Sequence, residues 1–196
     1  MTADATTSRE TVPARRRSRT RELVSAALIA ALMAGTSWMT INFGPVPFTL
    51  QTIFVELAAV LLAPEWAFAS MAVYLAIGAA GVPVFAGGVG GIGAFTLPTG
   101  GFLVAFPIAA GLGSLTYRAL RRLPGTARTI AAPVVTVLVV EAVIYAIGVP
   151  WLMATTGMAA GKALAIAVVP FLLPDTIKAI VAVVIATAVR RALAEG

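Results

Sequence analysis

The chain contains no cysteine and no histidine. The first absence excludes disulfides, thiol nucleophiles and cysteine-ligated metals. The second removes the side chain most used for proton transfer near neutral pH and for holding metal ions. Charge is scarce too: 11% of residues are charged and only 8 are acidic, against about a quarter charged in soluble domains. No nucleophile–base pair and no metal-binding set can be assembled from what remains, so a membrane-embedded enzyme is the weakest reading, and neither a metal nor a cofactor is expected. What fills the space is apolar. Hydrophobic residues make up 60% of the 196 and the mean hydropathy is +0.98. This describes one integral membrane domain, all-α, with no room for a separate soluble module.

A helix crossing a ~30 Å hydrocarbon layer needs about 20 mainly apolar residues. Six candidate spans follow: 22–41, 50–63, 66–81, 99–120, 130–149 and 174–193. The second and third would form one over-long helix but for Ala63-Pro64-Glu65, where proline ends helical continuity. A further apolar stretch, 162–169, lies between Gly161 and Pro170 and is too short to span. It is expected as a short helix on the outer end of the bundle.

The net charge of +6 is concentrated in three places. Arg15, Arg16, Arg17, Arg19 and Arg21 precede the first span; Arg118, Arg121, Arg122 and Arg128 fall between the fourth and fifth; Arg190 and Arg191 close the last. With six spans all three clusters share one side, which the positive-inside rule makes cytoplasmic. Each cluster abuts a hydrophobic span, which speaks for topology and against nucleic acid as a partner. Residues 1–21 are expected as a flexible, basic cytoplasmic tail and 22–193 as the six-helix domain of a multi-pass cell-membrane protein, with both termini inside. Loops 42–49, 82–98 and 150–173 then face outward.

One of those outer loops belongs to a glycine-dense, almost uncharged segment, 83–101, reading PVFAGGVGGIGAFTLPTGG. Gly88, Gly90 and Gly93 fit the dinucleotide fingerprint literally, but the strand–turn–helix that gives the fingerprint its meaning is missing. Gly157 to Ala163 (GMAAGKA) is one residue short of a phosphate-binding P-loop, with alanine in place of the magnesium-binding hydroxyl. ATP hydrolysis by this chain is therefore excluded. In a membrane protein the glycine segment reads instead as the cover of a cavity, its glycines allowing close backbone approach.

Polar residues inside apolar spans are costly and point to function. Asp175 and Lys178 begin the last span at spacing i, i+3, so they share a face and can pair. Glu141 lies in the middle of the fifth span, as a proton site, a ligand contact, or a polar partner for Tyr145 one turn on. Thr49, Gln51 and Thr52 supply neutral donors and acceptors at the start of the second span, as helix caps and as contacts for a polar head group. In the first span Ala26, Ala30 and Ala34 form one small-residue stripe and Ala27, Ala31 and Gly35 another. Such stripes pack helices closely, within the bundle or against another membrane protein.

Five stretches together give a specific resemblance: GPVPFTLQT (44–52), GVPVFAGGVGGIGAF (81–95), PTGGFL (98–103), YAIGVPWL (145–152) and PFLLPDTIKA (170–179). In this order they resemble BioY, the biotin-specific substrate-binding (S) subunits of energy-coupling factor (ECF) transporters, over nearly the whole chain after the tail. The resemblance implies the S-component fold and high-affinity biotin binding from outside, with a transmembrane coupling protein and two ATP-binding-cassette ATPases as partners. It implicates Asp175 and Lys178 in biotin contact, and the glycine segment, with Gly90, Gly91 and Gly100, as the pocket cover. It makes the small-residue stripes of the first helix the docking face for the coupling protein. Thr49, Gln51, Thr96, Thr99 and Asp175 could serve the ureido ring, Phe85 and Trp151 could wall it, and Lys178 could meet a carboxylate or hold Asp175. Glu141 departs from the pattern, which favours a neutral polar residue there. The competing readings are an S component for another vitamin and a stand-alone proton-coupled carrier using Glu141.

Overall fold

The six apolar runs fold as helices whose ends sit where the chain can no longer continue one. The computed structural model describes residues 14–42, 46–125 and 128–195. Helix α1 is Ala14–Gly35, followed by strands β1 (Thr40–Asn42) and β2 (Pro47–Thr49). The remaining helices are α2 (Gln51–Leu61), α3 (Pro64–Ala79), α4 (Gly100–Arg121), α5 (Arg128–Thr156), the short α6 (Ala160–Ala167) and α7 (Leu172–Glu195). Three stretches, Gly100–Arg121, Arg128–Thr156 and Ala160–Ala192, are each long and apolar enough to cross a membrane. At 22 residues, α4 is about 33 Å long, the thickness of the hydrocarbon layer.

Two expected boundaries move. Helix α1 starts at Ala14, so residues 14–21 of the expected flexible tail are helical; arginine is a good helix former and no proline or glycine interrupts the run before Gly35. The expectation for residues 1–13 lies outside the described residues. Helix α1 also stops at Gly35, six residues before the expected end, with the Thr36 N–H and hydroxyl both closing its last turn on the Leu32 carbonyl, the hydroxyl at 3.0 Å. The chain then forms an antiparallel hairpin with Thr40 opposite Thr49 and Ile41 opposite Phe48. Pro47 and the β-branched Thr40 and Ile41 favour extended backbone there.

The bundle is held by close approach of small residues. A Cβ placed on Gly113 of α4 would lie 2.6 Å from Val140 Cγ2 on α5 and 2.8 Å from Ala59 Cβ on α2. Three helices therefore meet at one glycine. Outward positions such as Leu28, Val73, Leu138, Ile180 and Val184 are exposed apolar side chains, forming a lipid-facing belt rather than a water-facing surface.

Helix α2 has 11 residues, about 16 Å of rise and roughly half a hydrocarbon thickness. Its junction with α3 is satisfied by side chains from three other helices. Ser114 of α4 donates to the Leu62 carbonyl at 2.7 Å, and Glu22 of α1 accepts the Ala63 N–H at 3.1 Å. From α7, Arg190 donates to the Val60 carbonyl, with Nε at 3.0 Å, and stacks 4.4 Å from the Tyr117 ring centroid. Arg190→Met keeps the length of the side chain but strands that carbonyl. It should cost about 1.5–3 kcal/mol, read as a lower melting temperature in detergent.

Candidate functional site

A cavity of about 830 Å³, partly open to solvent, lies at the end of the bundle where the hairpin and the glycine segment meet α2, α4, α5 and α7. Its apolar walls include Phe85, Phe102, Phe106 and Phe171, and its polar groups are Thr49, Gln51, Thr52, Thr99, Glu141, Tyr145, Asp175 and Lys178.

The polar floor centres on Asp175 and Lys178, on the first turns of α7 as expected from their spacing. Both are buried, at 8% and 5% exposure, with Lys178 Nζ 2.5 Å from Asp175 Oδ1. Lys178 also donates to Thr52 Oγ1 at 2.7 Å and to the Thr49 carbonyl at 3.3 Å, and its ammonium lies 4.9 Å from the Phe48 ring centroid. Tyr145 donates its hydroxyl to Asp175 Oδ2. A buried charge pair is stable only with its remaining donors and acceptors engaged, and these contacts engage most of them. The arrangement therefore fixes a carboxylate and an ammonium side by side at the cavity floor.

A second polar chain ties the glycine segment to the floor. Gln51 Nε2 donates to the Tyr74 hydroxyl at 2.6 Å, which donates to the Val84 carbonyl at 2.8 Å. Phe85 is 2% exposed and packs edge-on against Tyr74 and Phe95, with ring centroids 5.6 Å away in both cases. It reaches this position because Gly78 has no side chain: a Cβ there would collide with the Phe85 ring. The segment folds back at a bridge between Phe85 and Val89, and the Gly91 N–H donates to the Gly78 carbonyl at 2.7 Å. On the other side, the Gly87 N–H reaches Thr40 Oγ1 of the hairpin at 3.0 Å. Tyr74→Phe leaves the Val84 carbonyl without its partner. It should cost about 1–3 kcal/mol and raise amide hydrogen exchange selectively around residues 84–91.

Of the residues singled out from sequence, Thr49, Gln51, Phe85, Thr99, Glu141, Tyr145, Asp175 and Lys178 line this cavity. Gly90, Gly91, Thr96, Gly100 and Trp151, also singled out, lie outside that lining. Thr96 is exposed and donates its hydroxyl to the Gly93 carbonyl at 2.8 Å. Trp151 points its indole N–H at the Leu97 carbonyl, 3.2 Å away, and so braces the glycine segment from outside instead of walling the cavity. Gly90 and Gly100 pack closely on backbone, at Val82 and Phe95, while Gly91 takes a positive φ and donates its N–H to Gly78. The supposed Glu141–Tyr145 contact is also replaced, since Tyr145 serves Asp175.

Glu56 was missed altogether. It is fully buried on α2, in the interior of an otherwise apolar helix. The signal was available, because a carboxyl inside an apolar span is as informative as Glu141. Apolar wall residues such as Phe102, Phe106 and Phe171 carry no sequence mark that separates them from ordinary helix packing. The two small-residue stripes of α1 split: Ala26 and Ala30 are buried in the bundle, with the Ala26 carbonyl accepting from Ser70 at 2.9 Å. Ala34 is half-buried, while Ala27, Ala31 and Gly35 are exposed. The inward stripe is thus occupied by packing against α3, and only the outward one is open to a partner.

A helical bundle with a lidded, mixed polar and aromatic cavity at one end and an apolar belt around it is the architecture of a multi-pass membrane protein that captures a small molecule. The family model for the BioY family matches residues 7–195, and the chain belongs to that family. It is 41% identical to the probable biotin transporter BioY of Pyrococcus horikoshii, over 85% of this chain and 94% of that protein. Identity to the biotin transporter BioY of Thermotoga maritima is 34%, over 87% and 96%. A crystal structure of the S-component for biotin from an ECF-type ABC transporter superposes with a TM-score of 0.81 at 26% identity, over 92% of this chain and 95% of the other.

Proposed function

We propose that this protein binds biotin from outside the cell as the substrate-binding subunit of an ECF-type, ATP-driven transporter. The observation that carries this reading is the Asp175–Lys178 pair set into the floor of a cavity whose walls are aromatic. Biotin combines a ureido ring that both donates and accepts, a thioether ring suited to apolar walls, and a carboxylate. Asp175, Lys178, Thr49 and Gln51 supply the complementary polar groups, and Phe85, Phe102 and Phe171 the walls. The glycine segment acts as the lid. ATP would be hydrolysed by two partner ATPases, coupled through a transmembrane protein that docks on Ala27, Ala31 and Gly35 of α1, the small-residue surface that packing leaves open. Arg121, Arg190 and Arg191 gather around one cavity at the bundle end away from the lid, which supports a cytoplasmic assignment for that end and an external one for the lid.

Titration of the purified chain in detergent with labelled biotin tests the reading, with desthiobiotin, thiamine and riboflavin as competitors. Saturable biotin binding displaced by desthiobiotin alone is the expected result. Displacement by thiamine or riboflavin at equal concentration would assign the site to another vitamin. Ala31→Leu should leave biotin binding intact while abolishing uptake in vesicles that contain the partner proteins.

A further inference from the structure

A second cavity, of about 570 Å³ and partly open to solvent, lies at the bundle end away from the lid. Three of its lining residues are arginines, Arg121 of α4 with Arg190 and Arg191 of α7, and no acid lines it. Lys178–Asp175 is the one ion pair among the described residues, so none of these three guanidinium groups is paired there. Glu22, the acid at the adjoining α2–α3 junction, accepts the Ala63 N–H and stays outside the lining. Arg190 is fixed in place: it spends two N–H groups on the Val60 carbonyl and lies over the Tyr117 ring. A guanidinium carries five such donors, and its other three meet no acceptor among the described residues. Thr187 also lines this cavity. Thr116, Thr136 and Thr176 turn their hydroxyls back onto the carbonyl four residues earlier, but the Thr187 hydroxyl donates to no described residue. Like charges gathered in one cleft repel until an anion joins them. Unspent guanidinium and hydroxyl donors suit the oxygens of a phosphate.

The surface beside the cavity decides what carries that phosphate. Ile177, Ile180 and Val184 are exposed. At steps of three and four residues they lead along one face of α7 to Thr187 and Arg191 in the cavity lining. From Ile180 to Arg191 the helix rises about 16 Å, one leaflet's half of a ~30 Å hydrocarbon layer. An apolar track one leaflet long thus ends at an arginine-lined cavity. We propose that this cavity binds the phosphate of an anionic glycerophospholipid, with an acyl chain laid along the α7 track. A choline lipid fits less well, because its quaternary ammonium would face three arginines with no acid in the lining to receive it. The bound phosphate joins α4 to α7 beside the junction that Arg190 supports. The site does not depend on which ligand is held under the lid.

Native mass spectrometry of the detergent-purified full chain tests this, with dioleoylphosphatidylglycerol or dioleoylphosphatidylcholine added. The wild type should retain phosphatidylglycerol under conditions that strip phosphatidylcholine, and phosphatidylglycerol should raise its melting temperature. Arg121→Gln with Arg191→Gln removes two charges that hold no other part of the fold. Affinity for phosphatidylglycerol should fall about thirtyfold, at about fivefold for each arginine, with the lipid-free melting temperature unchanged. Thr187→Val keeps every charge and the side-chain shape, and should cost about fivefold. Arg118→Gln with Arg122→Gln removes two exposed charges outside the cavity lining and should leave binding as in the wild type. Equal losses in the two arginine double variants would show diffuse attraction to a basic surface and overturn the proposal, as would equal retention of the two lipids. Glycerol 3-phosphate at equal concentration should not displace the lipid; displacement would assign the cavity to a soluble phosphate and overturn the lipid.

Discussion

Lys178→Ala should abolish measurable biotin binding. Removing one member of a buried, hydrogen-bonded charge pair costs about 2–5 kcal/mol in binding, or roughly thirtyfold to several thousandfold in affinity. Here the ammonium holds Asp175, Thr52 and the Thr49 carbonyl at once, so its loss unlocks the cavity floor on both α2 and α7. The same change leaves Asp175 buried without a counter-charge and should destabilise the fold by about 3–5 kcal/mol. Two further variants separate these effects. Asp175→Asn keeps the shape of the side chain and should likewise lose binding. Asp175→Asn combined with Lys178→Met removes both charges and should recover much of the melting temperature, because the expense lies in an unpaired charge. Binding should stay absent in that double variant. Unchanged affinity in both single variants would take Asp175 and Lys178 out of the site.

Gly90→Val is expected to cripple the lid while leaving the bundle intact. A Cβ at Gly90 would sit 2.6 Å from the Val82 carbonyl oxygen and 2.8 Å from that of Gly81. Both obstacles are backbone, so no rotamer change relieves the clash and the segment itself must move. Adding Gly91→Val forces a β-branched residue to φ +92°, a left-handed conformation glycine tolerates and valine does not. It also strains the Gly91 N–H bond to Gly78 that closes the turn. Strain of this kind is worth about 1–3 kcal/mol per residue. The double variant should release biotin at least about tenfold faster, each 1.4 kcal/mol being a factor of ten. Membrane insertion and helix content by circular dichroism should match the wild type. Wild-type dissociation kinetics would show that the segment does not gate the cavity.

The helices were legible because their signal is redundant: twenty-odd apolar residues between arginine clusters or prolines carry the same message many times over. The Ala63-Pro64 break was legible for the same reason, proline being unambiguous. The hairpin was not, since three-residue strands containing Pro47 lack the alternation that marks strands in sequence. At the site, Asp175, Lys178, Glu141 and Gln51 stood out as polar residues in or beside apolar spans. Their partners did not, because the Thr52–Lys178 and Tyr145–Asp175 contacts depend on helix rotation, which hydropathy leaves open. Trp151 shows the opposite failure. Its position beside the glycine segment was inferable, but whether it faced the cavity or braced the segment from outside turned on where its indole N–H finds an acceptor.

Helix α7 carries Asp175 and Lys178 at one end and Arg190 at the other, and it follows the other helices of the described residues in chain order. Until it inserts, Tyr145 and Thr52 lack their α7 partners and the Val60 carbonyl, at the end of a helix too short to span, lacks its donor. A nascent chain halted before residue 172 is thus both blind to ligand and marked by orphaned polar groups within the bilayer, a state open to recognition by membrane proteases. Insertion of α7 therefore completes the cavity floor and the α2 junction in one step.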